Sequence, residues 1–309
     1  MKRILELDYL KGILILLVIS FHLVYFEHLY PFAKQVVYTF HMPGFLLISG
    51  YLMNVGKAPK DFLRTLLWLA VPYIVMESGY IVMASVLPIN EHIYHLTPRV
   101  FLDRLYLHPL GPYWYLHALI VCGGLYYYIY NNVREGTMTR LFLIGIAYYI
   151  TARFFGILSF SSALYFLIGA ALRQTSTNVL SFFRPNQLSI GIFALLICFT
   201  VNPNQASTEG ALIAYFAISS LLSFYNHLPQ VPRSMLLFFG RNSLPLYVFS
   251  PIFTILCKCF VPFLQFDGTG IIFLLVSLVC CVGGSLAIAW FMDLTGISRF
   301  FFGRRALSI

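Results

Sequence analysis

The sequence predicts an all-α, polytopic integral membrane protein with about ten transmembrane helices and both termini in the cytoplasm. Three observations carry that expectation. Of the 309 residues, 60% are hydrophobic and only 10% charged, and the mean hydropathy is +0.81; a soluble protein of this size needs more polar surface to cover its core. The apolar residues gather in long runs, unlike the short alternating segments of a transmembrane barrel. Numbering those runs as successive crossings puts fifteen of the twenty Lys and Arg on the side of the N-terminus, the excess expected of cytoplasmic loops.

The runs cover residues 9 to 28, 36 to 55, 65 to 87, 113 to 130, 140 to 157, 161 to 173, 187 to 201, 210 to 225, 243 to 263 and 270 to 292. The sixth and seventh are short for a hydrocarbon layer of about 30 Å. Met1-Lys2-Arg3 ahead of an apolar run resembles the start of a signal peptide. The run is long, however, carries Lys11 and His22 and lacks a small-x-small cleavage site, so it is expected to be retained. The longest extramembrane piece, residues 88 to 112, includes Pro88, Glu91, His95, Arg104 and His108 and is long enough to be functional. With no repeat, low-complexity tract or appended soluble domain visible, residues 1 to 309 are expected to form a single transmembrane domain that works within the bilayer. The net charge of +9 is explained by the loop bias, so membrane lipid is the expected surround and no nucleic-acid partner is expected. The six cysteines all fall in apolar segments, where they act as small hydrophobes and form no disulfide framework.

The first run places Lys11 and His22 eleven residues apart. On one continuous helix they differ by three turns plus roughly 20° and rise about 16 Å. A cation and an imidazole on one apolar wall are costly in lipid and mark a functional site. His41 and His117 also lie inside runs, at a predicted depth like that of His22. Imidazole exchanges protons near neutral pH and can attack as a nucleophile. Three histidines also suit zinc, but spacing gives no guide when ligands come from separate helices, and no metal is expected. Asp8 stands one turn before Lys11. Glu77 is the acid nearest the middle of a run, a turn and a half after Pro72, and either neutralises a buried cation, bonds a histidine or supports a kink.

Several short patterns then fall into place together. Lys11 and His22 are a basic residue, ten residues and a histidine; His41-Met42-Pro43 is followed by Ser49-Gly50; later come Trp114-Tyr115-Leu116, Phe166-Leu167-Ile168-Gly169-Ala170 and Asn242-Ser243-Leu244 with Tyr247. In this order they resemble the membrane acyltransferase-3 family, in particular its fucose O-acetylase-like branch. The resemblance implies about ten helices and transfer of an acyl group, usually acetyl, from acyl-CoA to a hydroxyl of a surface glycan or lipid-linked sugar. It implies that His22 is the catalytic base or a transient acyl carrier, with His41 beside it in the catalytic role, and that Lys11 helps hold the donor. Asp8, Glu77, Trp114 and His117 are expected to support the site or meet the acceptor. Two departures stand out: relatives commonly have Arg where this chain has Lys11, and many have a His after a Tyr-Leu-Leu where this chain reads Tyr247-Val248-Phe249-Ser250-Pro251.

The expectation is therefore a multi-pass O-acetyltransferase of the bacterial cytoplasmic (inner) membrane, with acetyl-CoA as donor and a glycan or lipid-linked sugar as acceptor. The rival from another class is a glycolipid transporter or flippase that uses the intramembrane histidines and Glu77 as a proton relay.

Overall fold

The computed structural model describes residues 3–87, 91–200 and 203–308, so Met1, Lys2 and Pro88 lie outside the described residues. Among these the regular secondary structure is all helical, with no strand. In order the helices are α1 (Leu5–Ser20), α2 (Val24–Leu29), α3 (Pro31–Leu52), α4 (Pro59–Val86), α5 (Pro98–Tyr106), α6 (Trp114–Asn132), α7 (Thr137–Phe154) and α8 (Phe160–Gln174). They continue as α9 (Val179–Phe183), α10 (Leu188–Phe199), α11 (Thr208–Ser223), α12 (Gln230–Arg241), α13 (Ser243–Leu256), α14 (Val261–Leu264), α15 (Ile271–Leu294) and α16 (Ser298–Phe301). Side-chain caps start several of them, as Thr97 does for α5 by accepting from the amide of Val100, and Ser207 for α11 by accepting from Gly210.

Among the described residues, three segments are long and apolar enough to cross a membrane: α4, the run Ser243–Leu264 that joins α13 to α14, and α15. Helices α10 and α11 are apolar but shorter. On α15, Ile271, Leu275, Val279, Phe291 and Leu294 are all exposed, Val279 at 75%. Contiguous apolar surface of this kind is stable against lipid and a liability in water.

The expected single span over residues 9 to 28 is corrected here. Helix α1 stops at Ser20 and α2 begins at Val24. The amides of Phe21 and His22 fold back onto the carbonyls of Leu17 and Ile19, and Leu23 turns extended with φ −82° and ψ 97°. No glycine or proline marks the break, which is why the sequence read as one helix. The continuous-helix relation between Lys11 and His22 therefore ends two residues before the imidazole.

Two compact units make up the chain. The first comprises Met1–Phe45, Asn178–Phe300 and Arg304–Ile309. Its α1 and α12 approach until backbone touches backbone: a Cβ on Gly12 would strike the Leu236 carbonyl, and one on Gly240 the Asp8 carbonyl. Residues 306 to 308 are tied to the same unit. Asn242, fully buried, exchanges two hydrogen bonds with the backbone of Ser308, and Asp293 accepts from the amides of Ala306 and Leu307.

The second unit comprises Leu46–Thr177 and Phe301–Gly303. The same device recurs between the end of α3 and α8, where a Cβ on Gly50 would meet the Phe166 carbonyl and one on Gly169 the Leu47 carbonyl. Ser49 Oγ lies 2.7 Å from the Tyr115 hydroxyl. Ser49-Gly50, Tyr115 and Phe166 to Gly169 are thus partners in one helix contact.

Candidate functional site

At the start of α1, Asp8 is the hub of a charged cluster. Its Oδ1 lies 2.8 Å from Lys11 Nζ and its Oδ2 2.5 Å from Arg3 Nε. Asp8 precedes the apolar run, and two opposing effects act on it. Burial pushes its pKa up, but the hydrogen bonds from Arg3 and Lys11 and their positive charges outweigh burial and hold the carboxyl below its ordinary value. Two cations against one carboxylate leave one net positive charge. An ammonium has three donors, so Lys11 keeps hydrogen-bonding capacity beyond Asp8, and the cluster suits an anionic group such as a phosphate.

Beyond the end of α1 the first unit brings two of the predicted histidines together. His22 Nδ1 lies 2.7 Å from the Val18 carbonyl, and His41 Nδ1 lies 2.7 Å from the Val37 carbonyl. A carbonyl only accepts, so both Nδ1 atoms carry the proton, and a neutral ring then presents a lone pair on Nε2. Tyr38 stands between them, its ring centroid 6.1 Å from that of His22 in a stacked arrangement and 5.0 Å from that of His41. Its hydroxyl donates to the Phe21 carbonyl at 3.0 Å, which ties α3 to the break after α1. Lys34 Nζ is 5.4 Å from the Tyr38 ring centroid and forms a 2.9 Å ion pair with Glu27. His41 is buried at 2% exposure, while His22 is only half-buried, so of the two imidazoles His22 is the more accessible.

Pro43 contributes to this geometry. It sits inside α3 without an N–H, so Thr39, one turn earlier, has a carbonyl that no helical amide at 43 can satisfy.

The other two predicted residues of this kind, His117 and Glu77, belong to the second unit. His117 uses the opposite nitrogen, with Nε2 donating to the Tyr106 carbonyl at 2.9 Å. Glu77 is fully buried, and its Oε1 accepts from the Leu110 amide at 2.6 Å. Tyr73, one turn before Glu77 on α4, donates to the Leu105 carbonyl. Three side chains thereby fix the segment from Leu105 to Leu110 by its backbone. That segment forms one wall of a cavity of about 370 Å³ which also has Trp114, His117, Arg104 and His108 in its walls. Trp114 and His117 are therefore cavity residues, while Glu77 stands behind the wall as its anchor.

Tyr38, the Glu27–Lys34 pair and the cavity's Arg104 and Ser162 were not singled out by sequence reasoning as site residues. Tyr38 alone had a readable signal, since it lies three residues before His41 and so shares its helical face.

The family model described as an acyltransferase domain matches residues 4–290. That match takes in Asp8 and Lys11 of the charged cluster, both histidines beside Tyr38 and the cavity of the second unit. No curated protein and no solved structure matches the chain. The chain belongs to the membrane acyltransferase-3 family and is an acyltransferase.

Proposed function

We propose that this acyltransferase moves an acyl group, most simply acetyl, from acyl-CoA to a hydroxyl of a glycan or lipid-linked sugar, in a bacterial cytoplasmic membrane that it crosses about ten times with both termini in the cytoplasm. The observation that carries the reading is the half-buried His22, locked by the Val18 carbonyl into the tautomer whose Nε2 is a free base. The fucose O-acetylase-like pattern of the sequence supports a sugar hydroxyl as acceptor.

In this reading Nε2 of His22 takes the proton from the acceptor hydroxyl as the oxygen attacks the thioester carbonyl. A new C–O bond forms, the C–S bond breaks, and the departing thiolate recovers the proton from the imidazolium. The Val18 carbonyl accepts from Nδ1–H in both protonation states, so the ring keeps its orientation through the cycle. Tyr38 limits the ring's rotation by stacking, and His41, held in the same tautomer, packs against Tyr38 in turn. At the start of α1, Lys11 and Arg3 meet the phosphates of the donor while Asp8 fixes their side chains.

The test is transfer of label from acetyl-labelled CoA to glycan or glycolipid in inside-out vesicles. Incorporation that depends on His22 supports the reading; undiminished incorporation by a folded His22→Ala protein overturns it. Movement of unmodified glycolipid without incorporation points instead to a transporter.

A further inference from the structure

The cavity of the second unit has polar chemistry that the transfer step above does not use. At about 370 Å³ it falls at the small end of ligand-sized pockets. Its most telling group is Ser162. The residue is 1% exposed, lines the cavity, and its Oγ has no hydrogen-bond partner among the described residues. Buried hydroxyls are normally paired, and here the open side is the cavity itself.

The opposing wall offers complementary groups. His108 Nδ1 faces the Asp103 carboxylate at 3.1 and 3.3 Å; a carboxylate accepts, so Nδ1 holds the proton and Nε2 of the neutral ring is left as an acceptor. A Cβ built on Gly156 would sit 3.4 Å from that Nε2, and Gly156 has φ +66°. The left-handed backbone disfavours a side chain at this point beside the imidazole. Arg104 brings a fork of donors and Glu91 a carboxylate whose Oε2 already accepts from the Gly111 amide at 2.6 Å. Among the lining side chains one positive and one negative charge cancel, and the Asp103 carboxylate, taken up by His108, does not line the cavity, which argues for a neutral occupant. Trp114, half-buried, adds an apolar indole to the same cavity.

We infer that this cavity binds a neutral, hydroxyl-rich ring, a hexopyranosyl unit of a glycan, with its C–H face on Trp114, its hydroxyls donating to His108 and Glu91, and its oxygens accepting from Arg104 and Ser162. The choice of a sugar over another small polyol rests on the proposed acyl transfer to a glycan; the donor, acceptor and aromatic groups are the cavity's own. The bonds from Tyr73, Glu77 and His117 to the backbone of residues 105 to 110 keep the wall in place before a ligand arrives, so little ordering is needed on binding.

The experiment uses the full chain in a detergent without a sugar headgroup. Methyl glycosides of neutral hexoses, and methyl glucuronide for comparison, are titrated and followed by saturation-transfer NMR on the ring protons. Saturable millimolar binding of at least one neutral glycoside is expected, weakened about tenfold in Trp114→Ala and in Ser162→Val and unchanged in His22→Ala. Thermal unfolding of each variant establishes that it is folded, and Arg104→Gln, at a less buried position, repeats the test without opening the core. Absence of saturable transfer to every neutral glycoside, preference for the glucuronide, or wild-type binding by all three cavity variants overturns the inference. Binding without acyl transfer leaves the cavity assignment standing and removes the proposed function; acyl transfer without binding does the reverse.

Discussion

His22 and His41 in the first unit, and His117 in the second, are each held by one backbone carbonyl, but from different sources. The first two take carbonyls four residues back along the chain, Val18 and Val37. His117 takes that of Tyr106, eleven residues back at the end of α5. The consequence is chemical as well as architectural. Reaching back along its own segment, the imidazole spends its near nitrogen, Nδ1, and keeps the lone pair on the distal Nε2. Reaching across to another segment, it spends Nε2 and serves the wall of a cavity. Two regions with the same residue type thus become suited to different work, proton transfer in one and ligand holding in the other.

That contrast can be broken most forcefully at His22. Replacing it with Ala is expected to lower the acyl-transfer rate by about 10²- to 10⁴-fold, the usual worth of a positioned general base, while hexoside binding stays as in the wild type; equal loss of both would erase the distinction between the regions. Labelled acetyl transfer in vesicles and ligand NMR on the same preparation make the comparison.

Glu77→Ala probes the other side. It leaves the buried Leu110 amide without its acceptor, at a cost of about 1–3 kcal/mol, expected as a lower thermal unfolding midpoint together with weaker hexoside binding. A variant with the wild-type midpoint would mean that the carboxylate is not the anchor of the cavity wall.

Tyr38 sharpens the account of the first region. Tyr38→Phe keeps the ring between the histidines and loses one hydrogen bond to the Phe21 carbonyl, a net effect of about 0.5–1.5 kcal/mol. Its transfer rate is expected to stay within about tenfold of wild type. Tyr38→Ala, which also removes the stacked ring, is expected to be slower than Tyr38→Phe. If the two variants transfer at the same rate, the ring does not position His22.

The smallest expected effect belongs to Asp8. Its folded-state pKa is depressed, so its ion pairs contribute stability that is fully present above the unfolded value of about 3.9 and is lost as pH falls through the folded value. With Arg3 and Lys11 partly exposed, that contribution is below about 1 kcal/mol. Unfolding midpoints measured through the acid range should therefore fall slightly more for the wild type than for Asp8→Asn, and identical acid profiles would show the pair to be without effect.

Much of the fold was legible because its cause is local or compositional. Apolar runs beginning near residues 65, 113, 140, 243 and 270 correspond to α4, α6, α7, α13 and α15 within a few residues, since a segment that must satisfy its own backbone in lipid has little choice but helix. The break between Ser20 and Val24 was not legible, because it carries no glycine or proline and is held by the turn bonds of Phe21 and His22 and by Tyr38 from the next long helix. The patterns around Gly50 and Gly169 were visible as marks, but their reason was not: each glycine is required by the other helix's carbonyl. Helix α12, too polar to read as a span, entered the structure through Gly240 and its contact with the backbone of α1.

The sequence by itself determined the membrane class, the family and the catalytic candidates, because burial in lipid constrains composition and because an imidazole bonded four residues back needs only its own segment. Which nitrogen of each histidine is left free, that Tyr38 stands between two of them, and that Arg104, His108, Trp114 and Ser162 surround one cavity were decided only by the tertiary structure. Those relations join residues from separate segments, and side-chain hydrogen bonds across segments depend on packing that no local period encodes.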